Sequence, residues 1–300
     1  MTIPFLSPGD LIYITCPAGY VAPERVACAA ETLAAWGFRV EMGKTIGTGA
    51  HYMSGHDDER LADIQHALDR PDVAAILMGR GGYGCSRIVD DIDWAGFRAR
   101  PKWICGFSDI TVLHSHLHAQ LAGPSLHSPM CGAFRPDSVN APHIQSLLRA
   151  LTGEPLEYHT PPHSLNRHGV AEGLLTGGNL AILAHLTGSP SAVDTRGKIL
   201  FIEDVGEYRY NIDRLMLNLR RAGKLDALAG LVVGSFTDTQ DTDRPFGQEV
   251  EAIIADKVRE FDYPVFFGLP CGHAEENVTL RLGVQHRMEV TTAGANLTTR

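Results

Sequence analysis

Short apolar runs separated by amphipathic stretches are the feature of this sequence that most constrains its fold. In the first half of the chain such runs lie at residues 11–16, 39–42, 73–78 and 102–105, and each leads through a loop into a stretch with apolar residues at helical spacing. Repetition of strand, loop and helix is typical of a mostly parallel sheet covered by helices. The first half is therefore predicted to be a Rossmann-like α/β domain.

The second half has a different pattern. Residues 153–169 hold three prolines and three histidines with little periodicity, which is typical of a linker between domains. After Pro264 the chain is rich in short strands joined by polar turns, so the second domain is predicted to be α+β with a more antiparallel sheet. The predicted boundaries are 1–153 for the N-terminal domain, 154–170 for the linker and 171–300 for the C-terminal domain.

Charge and cysteine content exclude several classes of protein. The net charge is -9 and lysines and arginines do not cluster, which argues against nucleic acid or an anionic membrane as a partner. No basic residue precedes the first apolar run, which starts at Asp10, and no run approaches the roughly 20 residues that span a bilayer. Six scattered cysteines without a C-x-x-C pair indicate reduced thiols, and hence a cytoplasmic protein.

The first candidate motif is the glycine cluster Gly79–Gly84, which follows a predicted strand. Backbone N–H groups on such a loop converge on an oxyanion or a phosphate. The cluster also matches G-x-G-x-x-G, but it follows about the third strand instead of the first. The acidic residue expected ~20 positions later is missing as well, because the next strand ends at Cys105-Gly106. A tight turn, an oxyanion site and a phosphate site all remain open for this loop.

A second candidate is Ser108, in the sequence Gly106-Phe107-Ser108-Asp109 at another junction of strand and helix. A serine on such a turn projects its hydroxyl at the carboxyl edge of the sheet, and the next N–H points to the same place. Ile110 stands where the α/β-hydrolase pattern has its second glycine, so that pattern is not matched. The alternative is that Ser108 or Asp109 only caps the helix.

Glu203 and His273 complete the list of candidates for chemistry. Glu203 directly follows a buried strand, where active-site residues cluster in α/β folds, although it also fits a strand that leaves the core. His273 lies on a turn shaped by Pro270 and Gly272 between two strands. With 14 histidines in the chain, neither signal is strong by itself.

Alternating histidines at 114, 116 and 118 are a possible metal site. On a helix His114 and His118 share a face. The glutamate of H-E-x-x-H is missing, however, and no third ligand stands out elsewhere. A partly exposed helix face is the expected structure here, and no metal or other cofactor is predicted.

Taken in order, these segments resemble the LD-carboxypeptidase family, serine peptidases that include murein tetrapeptide carboxypeptidases and a microcin-immunity branch. The resemblance covers nearly the whole chain. It is carried by Ile14–Tyr20, Arg80–Gly84, Ser86–Ile88, Asp93-Trp94, Gly106–Asp109, Gly177–Leu180, Glu203-Asp204, Gly272-His273, Thr279-Leu280 and Leu282-Gly283. Two small departures are Arg281, where many members have proline, and Cys271 before Gly272.

The resemblance implies a role for each candidate residue. Ser108 is the expected nucleophile, His273 the base and Glu203 the group that orients the base. The expected oxyanion donors are the backbone N–H groups of Gly82 and Asp109. Family members carry the serine on the first domain and the glutamate and histidine on the second, so the site is expected in the cleft between them. Further hypotheses for substrate contacts are Arg80, which would bind a terminal carboxylate, Gly81 and Asn179.

The implied activity is hydrolysis of the L–D peptide bond that releases terminal D-alanine from murein tetrapeptides, as in peptidoglycan recycling. The expected partner is such a peptide, and the resemblance also implies a homodimer. Two alternatives remain open. One is a microcin-immunity-like hydrolase of aminoacyl-nucleotide analogues, which would carry an aromatic platform and a longer inter-domain loop, neither identifiable in 153–169. The other is a non-catalytic nucleotide-binding protein built on the glycine cluster.

Overall fold

Two β-sheets organise the chain in the computed structural model, which describes residues 1–300. The first sheet has the strand order β11-β5-β4-β3-β1-β2, with four parallel pairs and the antiparallel pair β5–β11. Its strands are β1 (Leu11–Thr15), β2 (Arg39–Met42), β3 (Val73–Met78), β4 (Trp103–Gly106), β5 (Ser125–His127) and β11 (Leu280–Leu282).

The second sheet has the order β10-β9-β8-β7-β12-β13-β6, parallel from β10 to β7 and antiparallel from β7 to β6. Its strands are β6 (Glu157–Thr160), β7 (Gly169–Asn179), β8 (Ile199–Val205), β9 (Gly230–Thr237), β10 (Val265–Phe267), β12 (Gln285–Thr291) and β13 (Gly294–Thr299). One sheet is thus mostly parallel and the other more antiparallel, which confirms the predicted fold class.

The helices follow from apolar spacing and from local stop signals. They are α1 (Glu24–Ala35), α2 (Asp57–Asp69), α3 (Ala95–Ala99), α4 (Thr111–Leu121), α5 (Pro142–Thr152), α6 (Leu180–His185), α7 (Arg209–Arg221) and α8 (Val250–Lys257). In α1 the apolar residues Val26, Ala29 and Leu33 lie on one buried face, and the chain turns after the helix at Gly37, where φ is +94°. None of the eight is long and apolar enough to cross a membrane.

Two strands do not fit the predicted division into two domains and a linker. The segment 154–170, predicted as a linker, contains β6, which pairs with β13 at the edge of the second sheet. Strand β11 comes from the C-terminal part of the chain but pairs with β5 in the first sheet. Hydrogen bonds between strands thus tie the two parts of the chain together. The boundaries themselves stay a prediction.

Helix α4 lies between the two sheets, which corrects the prediction of a partly exposed helix face. His114 is buried and its Nε2 lies 2.9 Å from the carbonyl oxygen of Gly106. His116 and His118 both bond to the other part of the chain. Nδ1 of His116 lies 3.0 Å from the hydroxyl oxygen of Ser191, and Nδ1 of His118 lies 2.9 Å from that of Thr176. The alternating histidines are therefore packing and hydrogen-bonding groups of the interface between the two parts.

Candidate active site

Ser108 lies on a sharp turn between β4 and α4. Its φ is +63°, a left-handed conformation that residues other than glycine seldom adopt. A short 3-10 turn over Ser108–Ile110 leads directly into α4. Such strained turns concentrate at functional sites, because the fold must hold a conformation that costs about 1–3 kcal/mol. The serine is thus displayed at the carboxyl edge of the first sheet.

The glycine loop Gly79–Gly84 packs directly against this turn. A Cβ added to Gly81 would lie 2.9 Å from the Cβ of Ser108 and 3.1 Å from its Oγ, so only glycine fits there. The carbonyl of Gly81 faces the other way and accepts a hydrogen bond of 3.0 Å from the N–H of Gly19. The structure therefore brings the glycine loop and Ser108 together.

Two backbone N–H groups at this junction have no partner within the protein. Neither Gly82 nor Asp109 donates its N–H to another residue. Gly82 has φ of +103°, and Asp109 follows Ser108 in the turn. Backbone donors held on rigid turns beside a nucleophile are the usual components of an oxyanion hole.

Glu203 is presented by an irregularity in β8. The register with β9 shifts between Ile202 and Asp204, so Glu203 lies at a β-bulge. Bulges are frequent next to active sites because they redirect a side chain. Glu203 is fully buried, and its Oε2 accepts a hydrogen bond of 2.6 Å from Nδ1 of His273.

The turn after β10 carries His273 and is fixed by two features. A Cβ on Gly272 would lie 2.8 Å from Oε2 of Glu203, and φ of Gly272 is +130°, so a glycine is needed before the histidine. The N–H of Gly272 donates to the amide oxygen of Asn277 at 2.9 Å. With Nδ1 bonded to Glu203, the remaining ring nitrogen Nε2 is the one available to a reacting group.

The residue before Ser108 links the two halves of the site. The ring centroid of Phe107 lies 4.7 Å from that of His273, so the nucleophile turn of the first sheet contacts the histidine turn of the second. The bond to Glu203 is the only hydrogen bond that the imidazole makes in this structure. Catalytic hydrogen bonds commonly tighten only when substrate is bound.

The electrostatics of His273 favour its protonated form. Burial lowers the pKa of His273, but the hydrogen bond and charge of Glu203, together with the charges of Asp204 and Asp238, raise the pKa above its usual value. Glu203 thus favours the imidazolium form of His273.

Asn179, at the end of β7, lies opposite Glu203 of β8 and bonds to Asp204. Its amide nitrogen donates to Oδ1 of Asp204 at 2.8 Å, and its amide oxygen caps α6 by accepting from the N–H of Ile182 at 3.1 Å. Burial raises the pKa of Asp204 to about 6, an effect partly offset by the hydrogen bonds that its carboxylate accepts from Val205, Asn179 and Ala181. Both polar atoms of Asn179 are engaged within the protein, and its role as a substrate contact stays a prediction.

Three residues that support the site were not predicted from the sequence, and a fourth, Asp109, was predicted only for its backbone N–H group. Arg60 is fully buried under the glycine loop, Phe107 packs on His273, Asn277 fixes the histidine turn, and Oδ2 of Asp109 accepts the N–H of Cys85 at 2.8 Å. Arg60 lies on α2 and was not singled out in the sequence. Of the four, Phe107 and Asp109 stood in a segment that the sequence marked as important.

Comparison with known proteins decides the family. Residues 12–128 match the LD-carboxypeptidase N-terminal domain, and residues 172–288 match the LD-carboxypeptidase C-terminal domain. The chain belongs to the LD-carboxypeptidase family. Membership makes it a hydrolase of the peptidase class, and the resemblance found in the sequence is confirmed.

The similarity to known members of the LD-carboxypeptidase family extends over nearly the whole length of this chain. The "Probable murein peptide carboxypeptidase" of Bacillus subtilis is 33% identical, over 94% of this chain and 90% of its own. The crystal structure of muramoyltetrapeptide carboxypeptidase from Oxalobacter formigenes superposes with a TM-score of 0.88 at 30% identity, covering 97% of this chain and 98% of that one. The microcin C7 self-immunity protein MccF of Escherichia coli is 27% identical, over 93% and 90%.

Proposed function

We propose that this protein is a serine LD-carboxypeptidase that releases terminal D-alanine from murein tetrapeptides. The observation that carries the proposal is the contact between the Ser108 turn and the His273 turn through Phe107, with Glu203 bonded to His273 at 2.6 Å. A nucleophile, a base and an orienting carboxylate are thereby gathered from two sheets. The murein peptide relatives support the choice of substrate.

The proposed reaction begins with attack by Ser108 Oγ on the carbonyl carbon of the L–D amide bond. Nε2 of His273 takes the hydroxyl proton, because a serine hydroxyl is a weak nucleophile at neutral pH. The electron pair of the carbonyl moves onto its oxygen, which the free N–H groups of Gly82 and Asp109 would bind. Each such donor is typically worth about 3–4 kcal/mol of transition-state stabilisation.

Collapse of the tetrahedral intermediate breaks the C–N bond. His273 gives its proton to the leaving amine, so that D-alanine departs and an acyl-enzyme remains on Ser108. Water then attacks the ester, again with His273 as the base, and the shortened peptide is released. Glu203 holds the imidazole in the tautomer with hydrogen on Nδ1 throughout the reaction.

The test is release of D-alanine from a murein tetrapeptide by the purified protein. We expect turnover by the wild type, and a loss of at least about 1,000-fold in kcat for Ser108→Ala with an unchanged melting temperature. Ser164→Ala, which alters an exposed serine, is the matched control and should retain full activity. Equal turnover by Ser108→Ala and the wild type would refute the proposed nucleophile.

The similarity to MccF makes one rival activity worth a direct comparison. A microcin-immunity-like enzyme would use the same three residues on an aminoacyl-nucleotide analogue, so the two substrates should be compared with the same preparations. Faster hydrolysis of an aminoacyl sulfamoyl nucleotide than of the tetrapeptide would replace the proposed substrate. Non-catalytic nucleotide binding is disfavoured by membership of a peptidase family. A cytoplasmic location and a homodimer stay predictions that fractionation and light scattering would test.

A further inference from the structure

A cleft of about 460 Å³ lies at the carboxyl edge of the first sheet. Its walls come from Tyr20–Ala22 and Arg25 after β1, from Gly79-Arg80 after β3, and from Gly132 after β5. Strand β4, which ends at the Ser108 turn, runs between β3 and β5. Because parallel strands end at the same edge, the cleft flanks the proposed nucleophile.

Two arginines line this cleft without a carboxylate partner. Arg25 and Arg80 are both exposed, and neither forms an ion pair, although the chain carries a net charge of -9. One nitrogen of Arg80, Nη1, donates to the carbonyl oxygen of Tyr20 at 2.8 Å, which fixes the direction of the side chain and leaves further N–H groups free. The planar fork of N–H groups on a guanidinium matches the geometry of a carboxylate.

Two contacts connect the cleft with the side of the site where the leaving group is expected. The turn that holds Gly132 continues to Arg135, which lies 3.5 Å from Glu275, two residues beyond His273. The segment that continues this wall thus contacts the segment that carries His273, the residue that would protonate the departing amine. In a C-terminal residue the free carboxylate lies about 4 Å beyond the attacked carbonyl carbon, one residue along the chain. Arg80 directly precedes Gly81, which packs on Ser108, so the cleft wall continues into the loop beside the serine.

We propose that Arg25 and Arg80 form a subsite for the free C-terminal carboxylate of the residue that is released. The proposal rests on the proposed function and adds to it the group that restricts cleavage to the end of a peptide. A peptide that continues past the scissile bond has no charge at this position and leaves the two guanidinium groups without a partner. Selectivity for the last residue follows from that difference.

The experiment compares a murein tetrapeptide with the same peptide carrying a C-terminal carboxamide. We expect the wild type to prefer the free acid by about 10- to 100-fold in kcat/KM, as charged hydrogen bonds imply. Arg80→Ala and the double variant Arg25→Ala/Arg80→Ala should abolish this preference. They should raise KM for the acid and leave KM for the amide unchanged. Arg39→Ala is the matched control, since its guanidinium also bonds a backbone oxygen (Gly9) but lies at the start of β2.

Binding to the Ser108→Ala protein, measured by calorimetry, separates the subsite from turnover. The subsite is supported if the Ser108→Ala protein binds the acid more tightly than the amide. This difference in affinity should disappear when Arg25→Ala and Arg80→Ala are added to the Ser108→Ala protein. Equal losses for acid and amide, or no preference in the wild type, overturn it while the proposed function stands. If the wild type hydrolyses neither peptide, the proposed function fails, and the binding comparison alone decides the subsite.

Discussion

Gly81 is the position where the glycine loop and the side chain of Ser108 meet most closely. The φ of Gly81 is not in the left-handed region, so a substitution there acts through space alone and not through backbone strain. A methyl group would have to displace the serine, whose Cβ would lie only 2.9 Å away. The position thus tests whether the placement of Ser108 governs the reaction.

We expect Gly81→Ala to lower kcat by about 100-fold, because a shift of about 1 Å in a reacting group typically has an effect of this size. Steady-state kinetics on the tetrapeptide measure it. Gly123→Ala is the control, since a Cβ there meets its neighbours at an ordinary 3.5 Å. An unchanged kcat for Gly81→Ala would mean that Ser108 is not positioned by this loop.

Glu203 and His273 are expected to determine how kcat/KM depends on pH. The base must be neutral to accept a proton, so kcat/KM should rise as pH increases through the pKa of His273, which Glu203 raises. Glu203→Gln removes the negative charge, so the imidazolium loses stabilisation and the pKa of His273 falls. We expect the acid limb of the kcat/KM profile to move to lower pH, while kcat at its plateau falls by about 100-fold or more.

The control for this profile is Glu251→Gln, an exposed carboxylate on α8. It should leave both the plateau and the acid limb in place. An acid limb that stays at the same pH in Glu203→Gln would show that another group controls the protonation of the base. Asp204, whose pKa lies at about 6, would then be the next residue to substitute.

At the scale of elements, two buried side chains fix the glycine loop, one to the segment after β1 and one to the Ser108 turn. Nη1 of Arg60 donates to the carbonyl oxygens of Pro17 and Gly84, the latter at 3.0 Å. Asp109 accepts the N–H of Cys85 at 2.8 Å, and burial raises the pKa of its carboxyl group. Asp109 therefore connects the far end of the loop to the turn that carries Ser108, the proposed nucleophile.

Loss of the Asp109 side chain should loosen this connection while its backbone N–H stays in place. We expect Asp109→Ala to lower kcat by about 10- to 100-fold, and a boronic acid that mimics the tetrahedral intermediate should lose affinity in parallel. Asp93→Ala, which removes an exposed cap bonded to the N–H of Ala95 at 2.8 Å, is the control. Reduced kcat with unchanged affinity for the boronic acid would contradict a role in oxyanion binding.

At the scale of the whole molecule, β11 and Arg281 connect the two parts of the chain. One nitrogen of Arg281, Nη2, donates to the carbonyl oxygens of Arg149, Ala150 and Glu154 at 2.9–3.1 Å, and so caps the end of α5. Arg281 is only 5% exposed, so its hydrogen bonds are largely shielded from water. The residue that departs from the family pattern thus stabilises the junction between the parts.

We expect Arg281→Met to lower the free energy of unfolding by about 2–4 kcal/mol, since it removes three charged hydrogen bonds from a buried position. Denaturant unfolding followed by circular dichroism measures the change. The control is Arg287→Met, whose partners Glu172 and Glu289 lie at the surface and whose loss should change stability by less than about 1 kcal/mol. Equal effects of the two substitutions would refute the special role of Arg281.

Much of this architecture could be predicted from local pattern. The buried runs that became β1, β3, β4 and β8 and the helix α2 lie where periodicity indicated, because a strand buried on both faces needs a continuous apolar sequence. The crossing of β11 into the first sheet could not be predicted, because a three-residue apolar strand fits the edge of either sheet. The exposed face predicted for α4 was wrong because the second sheet covers it.

By itself, the sequence determined the alternation of strands and helices, the turns that need glycine, and the chemistry that each candidate residue can perform. Those properties depend on neighbours along the chain, and so they can be read from it. Tertiary structure alone decided that Glu203 bonds to His273, that Phe107 brings them to Ser108, and that Arg25 and Arg80 share a cleft. Contacts between residues so far apart in the chain depend on how the sheets pack, and no local pattern specifies that packing.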